Sequence, residues 1–571
     1  MGETKSSHPA IQFKTIPIVP GPLSRLEHIR PSLLEDVIRK TKEELSGTGL
    51  DLLLGEALYS ERSRLRYSRP TIFTRERYQG DAALWNSIQA GLVKSHAEVD
   101  RKLQLDQVIR HYAEEIGGHF DPRVYRIAVR SVPWGFNWLL NAASVRRFVP
   151  WGLTESLSSR LNIVGEVPAL KNLAGKGTIL LVPTHQSNID SVLIGYVIYL
   201  MSLPPFAYGA GLNLFSNPVL SFFMSRLGSY TVDRKKNNLI YKTTLKNYSS
   251  RILLEGIHSI FFPGGGRSRS GAIESKLKLG LLGTGLAAQI EGMQAGRAHS
   301  RVYIVPMVVS YHFVLEASSL IEDYLQESGK HQYLIKKDEF WQAQKLFNFF
   351  WKFFSSQSDI TVRIGKPLDI FGNFVDENGE SLGPNGTMID PARWLTTDGE
   401  LKKHTQRDVE YTREMSIRLT ERFHKENTVL TSHLVAFSFF EALRNKYREF
   451  DLFRFLRLLP EQRILLFKDY LPIAEIFHRK VTHLAQRGQL YLCPELQNLD
   501  TEAWVKDGIR KLGPFHDAAV VKVQGELISS EDLNLLYYYR NRLAGFGLSL
   551  TFDERISSSH LGQYDAHGFL A

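Results

Sequence analysis

The segment Thr178-Ile179-Leu180-Leu181-Val182-Pro183 is a short, continuous apolar run, and it predicts a β-strand. Similar runs rich in β-branched residues follow later in the chain, at Ser259–Pro263, Val302–Tyr311 and Ile360–Ile364. Helical stretches such as Lys276–Ile290 separate them. Strands that alternate with helices predict an α/β domain with a largely parallel or mixed sheet, which we place at residues 156–370.

A helical region is predicted on each side of this domain. Residues 1–155 show apolar side chains at three-to-four spacing, most clearly over Leu33–Glu44 and Glu98–Ile116. Residues 371–404 are rich in Gly, Asn, Asp and Pro, which predicts a connecting segment. Residues 405–571 again predict helices, with an apolar stripe through Met415, Ile417, Leu419, Leu430, Leu434 and Phe437.

The charge balance and the cysteine content narrow the possible partners and sites. The 571 residues include 70 Lys and Arg against 60 Asp and Glu, a formal net charge of +10. This surplus suits an anionic partner, which could be phosphate, nucleic acid or a membrane surface. The positive residues are spread along the chain without a nucleic-acid-binding signature, so we expect no nucleic acid partner. The single cysteine, Cys493, excludes a disulfide within the chain and a cysteine-ligated zinc.

A glycine-rich loop directly follows the apolar run Ile260–Pro263. Its sequence is Gly264-Gly265-Gly266, then Arg267-Ser268-Arg269-Ser270-Gly271. Glycines let backbone N–H groups approach a ligand closely, and arginine offers paired donors that match phosphate oxygens. The loop therefore favours phosphate binding over the alternative, a solvated surface turn. It is not a Walker loop, because no Gly-Lys-Ser/Thr follows.

A histidine and an aspartate follow the strand Ile179–Pro183. Side chains five residues apart on one regular helix point about 140° from each other, so His185 and Asp190 could not meet there. If Ser187 or Asn188 caps the following helix, however, the two side chains converge. The carboxylate would then orient the imidazole and leave its other nitrogen free as a base. The alternative is a purely structural hydrogen bond.

No protein nucleophile accompanies this pair, because the chain has no Gly-x-Ser-x-Gly elbow and no cysteine near it. A His/Asp pair without a nucleophile indicates direct attack by a substrate hydroxyl, which His185 deprotonates. The glycine loop would hold a hydroxylated phosphate with its hydroxyl toward His185.

Four sequence blocks resemble those of the glycerolipid acyltransferases. They are His185-x-x-x-x-Asp190, then the blocks at 228–234 and 262–271, and finally Ile304-Val305-Pro306. Their order and separation agree with that family. The chain looks most like its long members, the glycerol-3-phosphate and dihydroxyacetone-phosphate acyltransferases, because similar segments flank the blocks. These segments are Tyr112–Ile116, Asp121–Tyr125, Thr431–Ala436 and Leu535–Asn541.

The resemblance, carried over residue by residue, implies His185 as general base and Asp190 as the partner that orients it. It implies that the loop and nearby basic residues bind the acceptor phosphate, namely Gly265, Gly266, Arg267, Ser268, Arg269, Arg234 and Lys235. Pro306 would shape the hydrophobic side of the cleft. One departure concerns Gly264, because the family usually carries an acidic residue at that place.

The implied reaction is acyl transfer from a thioester, either acyl-coenzyme A or acyl carrier protein, to the sn-1 hydroxyl of glycerol 3-phosphate. Its product is lysophosphatidate. The resemblance implies no metal and no cofactor besides that co-substrate. Three alternatives stay open: acylation of dihydroxyacetone phosphate, acylation of a lysophospholipid, and a catalytically weak scaffold on a lipid surface. Gly264 motivates the last, and the intact His185/Asp190 pair argues against it.

We expect this protein to attach to a membrane without crossing it. Val192–Leu203 is too short for a span of about 20 residues, and Met1–Ala10 lacks the apolar core of a signal peptide. Pro122–Leu153 interleaves arginines with tryptophans, and Phe340–Phe354 carries eight aromatic residues. Both compositions suit an interfacial segment, although each also suits internal packing. We therefore expect peripheral or monotopic attachment to the cytoplasmic face of an anionic membrane.

Overall fold

The computed structural model describes residues 17–47, 49–67, 70, 75–129, 160–211, 222–328, 359–397, 399–512, 516–551 and 554. Its α-helices are α1 (Leu26–Leu45), α2 (Leu50–Tyr67), α3 (Arg75–Lys94), α4 (Glu98–Ile116), α5 (Val167–Ala174), α6 (Asp190–Leu200), α7 (Leu239–Leu254), α8 (Leu279–Gln294), α9 (Ala317–Ser328), α10 (Ala392–Leu395), α11 (Thr405–Lys425), α12 (Thr431–Lys446), α13 (Leu452–Phe455), α14 (Phe467–Gln486), α15 (Pro494–Asn498), α16 (Thr501–Leu512) and α17 (Leu533–Arg540). Short 3-10 helices lie at Pro22–Arg25, Pro460–Arg463 and Asn541–Phe546.

The strands fall into one large sheet and several small ones. The large sheet contains β1 (Leu161–Gly165), β2 (Thr178–Pro183), β3 (Ala207–Gly211), β4 (Ser229–Val232), β5 (Ser259–Ile260), β6 (Val302–Tyr311) and β7 (Ile360–Ile364). The small sheets contain β8 (Phe374–Val375), β9 (Ser381–Leu382), β10 (Met388–Ile389), β11 (Thr396–Thr397), β12 (Glu400–Leu401), β13 (Thr428–Val429), β14 (Ile464–Leu466), β15 (Tyr491–Leu492), β16 (Lys522–Gln524) and β17 (Leu527–Ser529).

The large sheet has the strand order β1-β7-β6-β2-β5-β3-β4. Every neighbouring pair is parallel except β6 and β7, which are antiparallel. The predicted α/β class with a mixed sheet and flanking helices is therefore confirmed. The predicted strand at Ser259–Pro263 is shorter than expected, since β5 ends at Ile260 and the chain then turns into the glycine loop. Strands β1, β3 and β4 were not predicted.

Strand β2 lies at the centre of the sheet and is buried on both faces. Ile179 and Leu181 join the hydrophobic core on one face, while Leu180 and Val182 join the core on the other. Successive strand side chains point to opposite faces, so a strand covered on both sides must be apolar throughout. This is why the predicted run contains no polar residue between Ile179 and Val182. The carboxyl end of β2 carries the candidate site.

The N-terminal helices pack against one end of the sheet. Helices α1 and α4, which the sequence predicted, contact α7, and their apolar side chains share a core with Tyr230 of β4. A buried ion cluster lies beside this core. In it Lys236, which follows β4, contacts Asp81 of α3 and Glu115 of α4. The N-terminal helices therefore hold the segment that immediately follows β4.

The C-terminal helices pack on one face of the sheet and share a continuous core with it. Residues of β6 and β7 belong to the same buried cluster as residues of α12, α14 and α17. Helix α11 begins at the predicted Thr405, but its buried residues Met415, Leu419 and Phe423 pack with α8 of the α/β layer. Ile417 was predicted in the apolar stripe, and this was wrong, because its side chain points away from that interface and is 52% exposed. The proposed domain boundaries stay predictions.

The segment at 371–404, predicted as a connection, contains short regular elements. It holds β8, β9 and β10, the two-stranded pair of β11 and β12, and helix α10. Its turn at Glu377 accepts a hydrogen bond from the side chain of Asn172, and Glu380 forms an ion pair with Arg301. The connection therefore packs along the α/β layer.

Two findings bear on the expected membrane attachment. Among the residues that the structure describes, no helix combines the length and the apolar character that a bilayer crossing requires. The basic segment Pro122–Leu153 lies outside the described residues beyond Val129, and Phe340–Phe354 lies wholly outside them. Peripheral or monotopic attachment stays a prediction.

The central position of β2 leads to a stability prediction. Leu181 is fully buried, so Leu181→Ala removes packed apolar atoms and leaves a cavity, which lowers the free energy of unfolding by about 2–5 kcal/mol. Leu52→Ala on α2, where the residue is 70% exposed, is the matched control and is expected to change it by less than about 0.5 kcal/mol. Urea unfolding followed by circular dichroism compares the two variants. Equal midpoints would contradict the assignment of β2 to the core.

Candidate active site

The strand-to-helix turn after β2 is organised by the carboxylate of Asp190. This residue begins α6, and one of its oxygens, Oδ2, accepts hydrogen bonds from the backbone N–H groups of Gln186 and Ser187 at 2.7 and 2.9 Å. Neither Ser187 nor Asn188 caps the helix, so that prediction was wrong. The physical reason is that a charged carboxylate at the start of the helix satisfies the free N–H groups of the turn itself.

The predicted convergence of His185 and Asp190 is observed. The imidazole Nδ1 lies 2.8 Å from Asp190 Oδ2, and because a carboxylate only accepts, Nδ1 carries the proton and donates it. The ring stacks on Phe262 with centroids 3.9 Å apart and planes 15° from parallel. These two contacts fix both the tautomer and the plane of the ring. The side chain is 11% exposed, and Nε2 remains as the basic nitrogen.

Electrostatics keep this imidazole neutral. Burial lowers the pKa of His185, since a buried imidazolium loses its hydration. The carboxylate of Asp190 raises it, while the positive charges of Arg267 and Arg234 lower it again. The net direction is downward from the ordinary value of 6.5. A neutral imidazole at physiological pH is the form that can accept a proton.

The glycine loop lies against the turn that carries His185 and Asp190, as the sequence predicted. The backbone N–H of Ser268 donates to the carbonyl oxygen of His185 at 2.8 Å. Gly265 has φ +75°, a conformation that favours glycine, and this lets the loop turn back sharply after Phe262. The hydroxyl of Ser268 donates to the Ala272 carbonyl at 2.6 Å, so it serves the loop itself.

Arg267 is linked through Glu316 to the turn that carries His185. Its Nη1 lies 3.2 Å from Glu316 Oε1, and the same carboxylate accepts from Asn188 N–H and from the Ser187 hydroxyl, both at 2.8 Å. Glu316 is buried immediately before α9. The arginine is therefore held beside the histidine by a carboxylate that also holds the turn.

Arg234 approaches the loop from β4. A Cβ built on Gly266 would lie 3.6 Å from Arg234 Nη1, so the guanidinium lies beside the glycine loop. The segment that carries Arg234 is fixed at both ends, because Tyr241 accepts the N–H of Asp233 at 2.7 Å and Lys236 is buried in the ion cluster. Arg234 and Arg267 thus place two positive charges near His185.

Three predicted site residues do not join this group. Arg269 is half exposed and pairs with Glu327 of α9 at 2.8 Å. The side chain of Lys235 is exposed, and its backbone N–H donates to Asp233 Oδ1 at 2.9 Å. Pro306 is buried within β6 opposite Val182, in the interior of the sheet. Their roles in binding stay predictions.

Several residues of the site were not predicted from the sequence. The Tyr311 hydroxyl donates to Asp190 Oδ1, and Glu274 Oε1 accepts the backbone N–H of His185 at 2.7 Å. Burial raises the pKa of Glu274 to about 7, although this hydrogen bond and the charge of Arg542 act in the opposite direction. Tyr311, Glu274 and Glu316 stand outside any recognisable spacing pattern, so only the folded chain brings them to the turn.

Residues 538–542 of the C-terminal region pack against the glycine loop and β6. Asn541 donates to the carbonyl of Ser270 at 2.9 Å, and Arg542 donates to the carbonyl of Val309 at 3.0 Å. Gly271 has φ +82°, and a Cβ there would lie 2.1 Å from the Tyr538 carbonyl oxygen, so the glycine is required for this close approach. The helical C-terminal region therefore packs directly on the glycine loop.

One group of side chains has the spacing of a metal site. Asp81, His111 and Glu115 each offer a ligand atom, all within 4.8 Å of one another. Lys236 and Arg64 already contact these carboxylates. Burial by itself would raise the pKa of Asp81, but the hydrogen bond from His111 and the charges of Lys236 and Arg64 lower it below the usual range. The cluster is thus neutralised by side chains and supports the Arg234 segment.

The arrangement is suited to proton abstraction from a bound anionic alcohol. An oriented, neutral imidazole supplies the base. Two guanidinium groups beside a glycine loop supply donors for a phosphate. The described part of the chain brings these groups to the carboxyl end of a central strand, where ligands commonly bind in open α/β sheets.

Part of the chain is similar to known proteins. Residues 165–310 match the family model described as Acyltransferase. The glycerol-3-phosphate acyltransferase of Shewanella woodyi is 27% identical over 272 residues, which cover 47% of this chain and 29% of that protein. The glycerol-3-phosphate acyltransferase of Pseudoalteromonas translucida is 29% identical over 215 residues, 37% of this chain and 23% of that protein. The matches thus span less than a third of these relatives.

A solved structure is also similar, the 1-acyl-sn-glycerophosphate acyltransferase PlsC of Thermotoga maritima, at 15% identity. The aligned part covers 65% of this chain and 95% of that one, with a TM-score of 0.24. The family match covers β2, the turn that carries His185, the glycine loop and nearly all of β6. The match identifies residues 165–310 as an acyltransferase domain.

Proposed function

We propose that this chain is a glycerol-3-phosphate 1-O-acyltransferase, which uses acyl-coenzyme A or acyl carrier protein as donor and forms lysophosphatidate. The observation that carries the proposal is the oriented imidazole of His185 beside the guanidinium groups of Arg234 and Arg267. The names of the two bacterial relatives support glycerol 3-phosphate as the acceptor.

The reaction begins with proton transfer to His185. The sn-1 hydroxyl oxygen attacks the carbonyl carbon of the thioester while its proton passes to Nε2. Asp190 stabilises the resulting imidazolium through Nδ1. The tetrahedral intermediate then breaks its C–S bond, and the departing thiolate takes up the proton from the imidazolium. Oxygen gains the acyl group and sulfur gains the proton.

The acceptor phosphate supplies the orientation. Arg234 and Arg267 would bind its oxygens, and the glycine loop allows the backbone to approach it. Holding the hydroxyl within reach of His185 replaces a bimolecular encounter with an intramolecular one, which contributes strongly to rate. The pair of positive charges also selects an anionic alcohol over a neutral one.

Direct attack by the substrate hydroxyl agrees with the lack of a reactive cysteine in the chain. The single cysteine, Cys493, is buried among the C-terminal helices. Burial raises the pKa of its thiol to about 12, so it carries almost no thiolate at neutral pH. A covalent acyl-cysteine intermediate is therefore not part of the proposed mechanism.

We propose that the protein works at the surface of an anionic membrane, attached peripherally or monotopically on its cytoplasmic face. The support is compositional: the arginine and tryptophan content of Pro122–Leu153 and the net charge of +10. The proposed product is an amphiphile, and release into a bilayer would remove it from the site.

The direct test is transfer from palmitoyl donors to labelled glycerol 3-phosphate in detergent or liposomes. Wild type is expected to form lysophosphatidate, and His185→Ala to lose about 10²- to 10⁴-fold in rate, because the general base is removed. His299→Ala, at an exposed histidine, is the matched control and should retain full activity. Palmitoyl-coenzyme A and palmitoyl-carrier protein are offered separately. Dihydroxyacetone phosphate and lysophosphatidate are offered as acceptors in parallel assays. Product from one of these but not from glycerol 3-phosphate would replace the proposed acceptor. No product from any acceptor would refute the proposed activity.

Substitution of the two loop arginines is expected to affect kcat/KM to different extents. Arg267→Gln should lower kcat/KM for glycerol 3-phosphate by about 10- to 100-fold, because a charged hydrogen bond to phosphate is lost near the base. Arg269→Gln should change it by less than about threefold, since that side chain is half exposed and paired with Glu327. Steady-state kinetics with both variants measure the difference. Equal losses would show that Arg269 also reaches the phosphate.

The pH dependence of kcat/KM is expected to report the ionisation of His185. Activity should fall as pH drops through the lowered pKa of the imidazole, because the protonated ring is no base. Arg267→Gln removes a positive charge that disfavours the imidazolium, so the pKa rises and the fall begins at higher pH. Arg269→Gln, whose charge is not among the causes of the shift, should leave the profile unchanged. An unmoved profile in Arg267→Gln would contradict this electrostatic account.

A further inference from the structure

Glu274 occupies the space beside Gly264. A Cβ built on Gly264 would lie 2.9 Å from Glu274 Cγ and 3.5 Å from its Oε1. Gly264 does not have a positive φ, so its backbone is compatible with a side chain. What excludes a side chain there is the carboxylic acid of Glu274, which reaches back across the loop.

The same carboxylate holds the backbone of the catalytic histidine. Glu274 Oε1 accepts the N–H of His185 at 2.7 Å, whereas the N–H groups of Gln186 and Ser187 go to Asp190. Two carboxylates thus divide three successive N–H groups of one turn. A buried N–H without a partner is costly, so loss of Glu274 would leave His185 free to shift.

One buried positive charge faces Glu274. Arg542, which is 2% exposed, faces it with a charge that stabilises the ionised form. Arg542 is itself held by Asn427 at 2.8 Å and by the Val309 carbonyl at 3.0 Å. The positive charge is therefore fixed beneath the loop, where it opposes burial and the charge of Asp190, which both raise the pKa of Glu274.

We propose that Glu274 is a positioning residue of the active site, whose carboxylate takes the place that a side chain at Gly264 would hold and fixes the backbone of His185. It acts through His185. Its effect on turnover rests on the proposed acyltransferase activity, while its effect on the histidine does not.

Relocation of the carboxylate tests this inference. Glu274→Ala is expected to lower kcat about tenfold or more with a smaller change in KM for glycerol 3-phosphate, because the base is displaced while the arginines remain. Gly264→Glu is expected to lose activity as well, because the new side chain meets Glu274 Cγ at 2.9 Å. The double variant Gly264→Glu/Glu274→Ala removes this clash and restores a carboxylate, so it should exceed Glu274→Ala about fivefold or more.

One further variant separates the hydrogen bond of Glu274 from its charge, and another serves as a control. Glu274→Gln keeps an oxygen that can accept the N–H of His185, and it should retain more activity than Glu274→Ala. Glu322→Ala, at an exposed glutamate on α9, is the matched control and should behave as wild type. Thermal unfolding of every variant identifies losses that come from misfolding. Glu274→Ala within twofold of wild type would overturn the proposal, as would a folded double variant no better than Glu274→Ala.

A second measurement reads the histidine without catalysis. Diethyl pyrocarbonate modifies neutral imidazole, and mass spectrometry of the peptide gives the rate for His185 alone. Glu274→Ala should react several-fold faster than wild type, since the released turn exposes the ring, and Glu274→Gln should react less fast than Glu274→Ala. Unchanged modification in folded Glu274→Ala would refute the positioning role. Wild type without transferase activity but with this modification pattern would refute the proposed function and leave the role of Glu274 standing.

Discussion

The geometry of the site depends on the hydrogen bonds that the Asp190 carboxylate accepts. It accepts two backbone N–H groups, the imidazole Nδ1 and the Tyr311 hydroxyl. A buried carboxylate is costly unless such donors surround it, and here they also define a strand-to-helix turn. The residue that orients the base is therefore the residue that starts α6. The local fold and the geometry of the candidate site follow from one set of hydrogen bonds.

Support for this turn comes from three distant parts of the chain. Glu316, before α9, ties Arg267 to the turn. Lys236 anchors the Arg234 segment to the N-terminal helices, and Arg542 and Asn541 hold β6 and the glycine loop from the C-terminal region. The α/β layer thus contains the candidate site residues and part of their support, including Glu316. The flanking helices complete the site.

The sequence was informative where a single stretch of chain determines the outcome. The apolar run of β2 predicted a strand because a strand covered on both faces must be apolar throughout. The convergence of His185 and Asp190 was also predicted, but through a cap at Ser187 or Asn188 that does not form, since Asp190 itself accepts the N–H groups of the turn. Strand β3 was missed because its sequence, Ala-Tyr-Gly-Ala-Gly at residues 207–211, lacks β-branched residues. Its neighbours in the sheet, and not its own propensity, make it a strand.

The parts of the site that escaped prediction are carboxylates and arginines placed by tertiary contacts. Glu274 and Glu316 lie in segments with no motif, and only the fold brings them to one turn. Arg269 lies in the same motif as Arg267, yet its side chain pairs with Glu327 of α9. Spacing identified the loop, whereas the direction of each side chain depends on neighbours far away in sequence.

The contact between Arg542 and Val309 has a consequence for synthesis on the ribosome. These two residues are 233 positions apart, which at about 5–20 residues per second corresponds to a delay of roughly 10–50 s. During that delay the nascent chain already contains the base, the loop and every strand of the large sheet up to β6. In this nascent chain the turn and the glycine loop still lack the support of Arg542. The turn and the glycine loop therefore reach their final packing only after Arg542 has been made.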